Sequence, residues 1–198
     1  MKDLAYRVVP LVAVLPPASA SLAGVLVRLD SDDRPYWCDG VTWLDLATPS
    51  GNDPRIVTAR SGADVSNSTT ALANATGLLL ALAANSTYAI EAQVMFQTAA
   101  TTTGIRLTQT VPAGASVVAQ WNTPTSLTAR TLSNQRAADA GATTTGIDTA
   151  NANTLACGSL LVVTGATAGN LQIRFASETT GTNVVVKAGS NLVGNKVS

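Results

Sequence analysis

The chain contains no histidine. That removes the commonest general base, the Ser-His-Asp arrangement and the commonest metal ligand. Charge is also scarce: Asp, Glu, Lys and Arg make up only 12% of the 198 residues, about half the usual share. The surface must then be covered mainly by Thr, Ser, Asn, Gln and Ala. A low-charge surface is poorly protected against association, which points to burial against other subunits. The 12 basic residues balance 12 acidic ones and no two basic residues are adjacent. Displacing counterions from a polyanion needs a basic cluster, so neither nucleic acid nor an anionic membrane is an expected partner. No apolar stretch is long enough to span a bilayer as a helix. The two cysteines, Cys38 and Cys157, cannot build a disulfide framework. Free thiols are the expected state, with one bridge or an inter-subunit contact as alternatives. No CxxC, P-loop or GxGxxG pattern occurs, so no metal or cofactor is expected.

What is present reads as β structure. Near the start, Lys2, the apolar run Val8 to Leu15 and Ala18-Ser19-Ala20 mimic a weak secretory signal. Asp3 spoils the positive region and Pro10 interrupts the short apolar core, so an extended arm or edge strand is expected instead. Leu22 to Leu29 alternates as a strand does. Asp30 to Pro35 is a polar turn. Tyr36-Trp37-Cys38, Asp39-Gly40 and Val41 to Leu46 read as strand, two-residue turn, strand. That register sets Cys38 opposite Val41 and Tyr36 opposite Trp43, and puts Trp37 and Trp43 on opposite faces. Residues 1–47 therefore read as an N-terminal arm and β-hairpin region. Residues 48–67, with Pro49, Gly51, Pro54 and Gly62, read as a linker.

From Ser68 to Ser198 strands alternate with short turns. Strands are expected at 78–83, 87–97, 104–110, 117–122, 125–132, 142–148, 153–164, 170–177, 184–187 and 192–197. Residues 132–141 read as a short helix or long loop. Many strands with short turns argue for an all-β fold, a jelly-roll-like antiparallel β-sandwich. The pentapeptide Thr101-Thr102-Thr103-Gly104-Ile105 recurs at Thr143-Thr144-Thr145-Gly146-Ile147. Two copies are too few for a solenoid, and they read as equivalent edges of two sheets.

Few residues carry chemistry. A carboxylate pair hydrolyses glycosidic bonds without histidine, but the sandwich holds only Glu91, Asp139, Asp148 and Glu178. Glu91 and Glu178 read as solvated or salt-bridged strand residues. Asp30, Asp32 and Asp33 resemble a fragment of a calcium loop but lack its further ligands. Asn67, Asn74 and Asn85 match the glycosylation pattern, as chance allows in a chain this rich in Asn, Ser and Thr. Tyr36, Trp37 and Trp43 concentrate the aromatics and are the candidate docking or packing residues. They form either a miniature core for the ribbon or a glycan-stacking platform.

Two stretches carry a resemblance. Leu82 to Glu91 with Phe96 to Ile105, and Val163 to Glu178 with Val186 to Ser190, resemble a C-terminal jelly-roll module of tailed-bacteriophage virion proteins, of the head-decoration, fibre or minor tail type. Pro35 to Trp43 resembles short N-terminal attachment modules of phage fibres. The resemblance implies a virion structural protein on the capsid or tail surface, with no catalytic residues to transfer. By analogy with tumour-necrosis-factor-like trimers, it implies a homotrimer docked on a major capsid or tail protein. The alternative is a tail-tip module binding a receptor or host surface glycan. An enzyme is not expected.

Overall fold

The computed structural model describes residues 11–29, 31, 34–38, 40–45 and 55–197. The chain divides into two compact units, Met1–Asp53 and Pro54–Ser198.

In the first unit a four-stranded sheet runs in the order β1 (Leu11–Val12), β2 (Leu26–Leu29), β3 (Arg34–Cys38) and β4 (Trp43–Asp45). Residues Leu11 and Val12 pair in parallel with Arg28 and Leu29. The strand expected from Leu22 begins only at Leu26. Before it, Ala20–Leu22 forms a 3-10 turn, and Gly24 takes a φ of 83° that interrupts extended backbone. Among the described side chains of this small sheet, Val27 and Cys38 are buried.

The second unit is a two-sheet antiparallel sandwich. Its strands are β5 (Ile56–Arg60), β6 (Val65–Asn67), β7 (Ala73–Leu82), β8 (Thr87–Thr98), β9 (Ile105–Thr110), β10 (Ser116–Pro124), β11 (Arg130–Gln135), β12 (Thr154–Val163), β13 (Gly169–Ser177), β14 (Val184–Val186) and β15 (Asn191–Lys196). The large sheet runs β11-β10-β12-β8, and then β14 and β15 lie along one edge of β8 and carry β6 and β5 in turn. The small sheet runs β7-β13-β9. Strands pair as nested partners: β5 with β15, β6 with β14, β7 with β13 and β8 with β12. Innermost, Arg106 of β9 bridges Thr143. The two outer pairs both lie in the large sheet; inward of them the nest alternates, β7–β13 in the small sheet, β8–β12 in the large and β9 in the small. That is a long hairpin wrapped on itself, the jelly roll, here with the β10–β11 hairpin inserted and added to the large sheet. The first and last strands are neighbours, and Lys196 N–H donates to Arg55 O at 2.6 Å.

The core follows from period-two alternation. On β8, Tyr88, Ile90, Ala92, Val94 and Phe96 point inward, as do Val117, Ala119 and Trp121 on β10. Leu78, Leu80, Leu171, Ile173 and Phe175 of the small sheet meet them. The small sheet is irregular where Gly77, at φ 88°, approaches Arg60 O and Ser61 Cα too closely for any side chain. Gln172 fills this bulge and donates to Ala75 O, Leu78 O and Ile173 O.

Three expectations need correction. The linker over residues 48–67 holds β5 and β6, both paired into the large sheet, so the sandwich unit begins near Pro54 and not at Ser68. Low hydrophobicity there reflects edge strands with one exposed side. The strand expected at 125–132 begins at Arg130, because Ser126 Oγ accepts from Thr128 and Ala129 N–H and closes a turn. Residues 142–148 form no strand beyond the Thr143 bridge, and the doubtful segment 132–141 begins as the end of β11.

The repeated pentapeptides are not edges of two sheets. They lie against each other. Ile105 N–H donates to Thr144 Oγ1 at 2.8 Å, Thr144 N–H to Ile105 O at 3.0 Å, and Ile147 N–H to Thr101 O at 3.0 Å. Each glycine is where the other segment's backbone arrives: a Cβ on Gly104 would sit 1.9 Å from Thr144 O, and one on Gly146 2.7 Å from Thr101 O.

Candidate functional site

The aromatic residues singled out by the sequence sit on β3 and β4. Cys38 pairs with Trp43, Trp37 with Leu44 and Tyr36 with Asp45. The connection therefore spans residues 39–42, two residues more than the Asp39-Gly40 turn alone. Gly40 has a φ of 97°, its N–H meets Cys38 Sγ, and it packs against the Ala20–Ala23 turn. A slip of two residues preserves the faces, so Trp37 and Trp43 still lie on opposite sides. The structure does not join the three rings into one platform. Trp43 is half-buried and its Nε1–H donates to Pro16 O at 2.7 Å, while Trp37 is 37% exposed. Tyr36 is half-buried. Asp30, Asp32 and Asp33 lie outside the described residues.

The carboxylates of the sandwich are engaged one by one. Ser159 Oγ donates to Glu91 on the outside of the large sheet at 2.8 Å. Asp139 pairs with Arg174, and Arg106 holds the same loop through Asp139 O and Gly141 O. Glu178, just past the end of β13 and not within it, accepts from Gly104 N–H at 2.8 Å. Thr149 Oγ1 meets Asp148. Among the described residues no group of three or more His, Cys, Asp or Glu could hold a metal. Asn67 is buried and ties a turn through Ala71 O, Phe175 O and Thr69. Cys38 is buried and Cys157 exposed, both as free thiols.

The feature that sequence reasoning passed over is the outer face of the large sheet. Register places its side chains in rows. The first row is Ser116, Val163 and Thr87; the second Val118, Leu161, Ala89, Asn195 and Ile56. The third is Asn134, Gln120, Ser159, Glu91, Val193 and Thr58; the fourth Leu132, Asn122, Cys157, Gln93, Asn191 and Arg60. Beyond them Leu155 stands opposite Met95. Val118 is 57% exposed and Leu161 49%, with Val163, Leu155, Val193 and Leu132 also exposed. Glu91 is the one carboxylate in these rows, and the cations lie at the edges, Arg60 on β5 and, beyond Leu132, Arg130 on β11. The signal was in the runs Leu160-Leu161-Val162-Val163 and Val117-Val118. An antiparallel strand apolar on both sides expects cover on both.

No family model matches the chain, and no curated protein does. Among solved structures, the Eiger TNF of S. frugiperda is similar at 11% identity and a TM-score of 0.37, over 72% of this chain and 92% of that one. The infectious bursal disease virus VP2 subviral particle is similar at 12% identity and a TM-score of 0.27, over 78% of this chain and 43% of that one. Scores this low carry no argument of their own. The jelly-roll assignment rests on the nested strand order.

Proposed function

We propose that the chain is a structural component of a virus particle, of the tailed-phage decoration or fibre type, and that it runs no reaction. Residues 1–53 serve as the attachment part, and the jelly roll is displayed as a homotrimer. One observation carries the reading: the broad outer face of the large sheet presents Val118, Leu161, Val163 and Leu155 with a single carboxylate. An exposed apolar patch of this kind marks a contact surface. The stretches that resemble phage jelly-roll modules support the same reading. The test is the location of the protein, by antibody labelling in electron micrographs of the particle. Copies spread over the capsid support decoration. Labelling absent from particles overturns the proposal.

A second reading has one observation in its favour. The partly exposed Trp37 offers a ring for stacking a sugar, as a tail-tip module binding a host surface glycan requires. Labelling confined to the tail tip, with adsorption lost in Trp37→Ala, would select it.

A further inference from the structure

We infer that the outer face of the large sheet, centred on Val118 and Leu161, is where copies of this chain pack on one another. The inference rests on the assembly reading above and names its partner surface: a second copy, not another virion protein.

Size is the first argument. Strands lie about 4.8 Å apart and rise about 3.3 Å per residue. The six strand positions from β11 to β5, over the length of β8 from Thr87 to Gln97, give a face on the order of 24 by 30 Å, roughly 700 Å². Stable complexes bury about 600–1,000 Å² per partner. The face is therefore large enough to hold a dimer contact or one contact of a ring without help from another surface.

Charge and hydrogen bonding are the second argument. A partner of opposite charge would find little to meet, because Glu91 already accepts from Ser159 while Arg60 and Arg130 stand at opposite edges. A neutral, amide-rich partner fits, and the face is itself one. Gln93, Gln120, Asn134 and Asn191 supply donors and acceptors in the rows beside Glu91, where a copy's amide groups can bond its remaining lone pairs. The apolar side chains fall in two zones, Val163, Val118, Leu161 and Ala89 toward one end and Leu132, Leu155 and Met95 toward the other, with the amides between them. Apolar zones that exclude water occur together with hydrogen-bonding polar groups in specific contacts. In the second unit the other exposed large apolar side chains stand apart from this face: Leu79 on the small sheet, Val197 past β15, and Leu127, 86% exposed, on the β10–β11 turn.

Cys157 sits in the fourth row and is exposed in the single chain, so it reports on cover without any substitution. The experiment uses the full chain. Its mass is followed by light scattering over a dilution series, and maleimide labelling of Cys157 is read by peptide mass spectrometry in the same samples. The wild type is expected to be an oligomer in which labelling is slowed at least about tenfold relative to the diluted, dissociated protein. Val118→Lys with Leu161→Lys should raise the dissociation constant by about a hundredfold or more, since each lysine would be buried without a partner. Leu127→Lys should leave assembly unchanged. An oligomer with freely labelled Cys157 overturns the surface assignment while the assembly reading stands. A monomer at every concentration overturns the inference outright; if Cys157 is then protected on particles, the face belongs to another virion protein. Should the double lysine variant not fold, the labelling of the wild type still decides.

Discussion

Gly104 and Gly62 make a controlled pair. A Cβ at Gly104 would lie 1.9 Å from Thr144 O, a backbone atom fixed by the Ile105–Thr144 bonds. A Cβ at Gly62 would meet nothing within 4 Å. Gly104→Ala should therefore destabilise by about 3 kcal/mol, at the upper end of overpacking. Gly62→Ala should be neutral or stabilise by up to about 1 kcal/mol through the unfolded chain. Urea denaturation of both variants checks this. Asp64 makes a second residue-scale case. The Lys187 ammonium bonded to it, and then the Ala188 N–H, hold its carboxyl below the usual aspartate value. A lowered folded pKa means the contribution is present above the unfolded pKa and is lost as pH falls through the folded one. Asp64→Asn should thus lower the melting temperature slightly at neutral pH. The difference should shrink as pH falls below the ordinary aspartate range, toward the lowered folded value. A gap that persists in acid would show that the contact is not ionic.

At the scale of elements, β5 and β6 decide where the sandwich begins. A chain starting at Pro54 keeps every strand pair of the second unit, and one starting at Ser68 loses β5 and β6 and bares the edges of β15 and β14. The first should melt cooperatively in circular dichroism. The second should be unfolded or aggregated, since unpaired edges template association. If the Ser68 chain folded as well, the nested pairing would be unnecessary. This boundary was hard to read because Ile56 to Arg60 and Val65 to Asn67 are short, half-exposed and next to Pro54 and Gly62. The long strands were legible: β8, β12 and β13 announce themselves by alternation and by apolar runs bounded by Gly and Asn turns. What alternation does not encode is pairing across the chain. The two Thr-Thr-Thr-Gly-Ile segments looked alike, but nothing local says that each glycine makes room for the other segment. The same limit applies to the aromatic ribbon. Asp39-Gly40 announced a turn, while the packing of Gly40 on the Ala20–Ala23 turn and the Trp43–Pro16 bond accompany a longer one. Trp43 is consequently half-buried, and replacing it should cost less than the 3–5 kcal/mol of a fully buried ring.

For the whole molecule, nesting makes nearly every strand pair distant in sequence, which slows folding into the millisecond-to-second range. Nesting also fixes where the sandwich starts and stops. Arg55 and Lys196 are bonded neighbours, so the body of the protein enters and leaves its fold at one corner. The turn bearing Leu127 lies toward the other end of the large sheet, beyond the Asn122–Leu132 pair. A circular permutant follows from this geometry: a short linker joining Val197 to Arg55, with new ends opened at Thr128, cuts no strand and keeps every ladder of the sandwich. Exposed turns of this kind tolerate such cuts. The permutant of the second unit should melt close to its linear parent. A peptide fused after Val197 would emerge beside the Arg55 end of the sandwich, whereas one fused at Thr128 would be carried at the opposite end of the sheet.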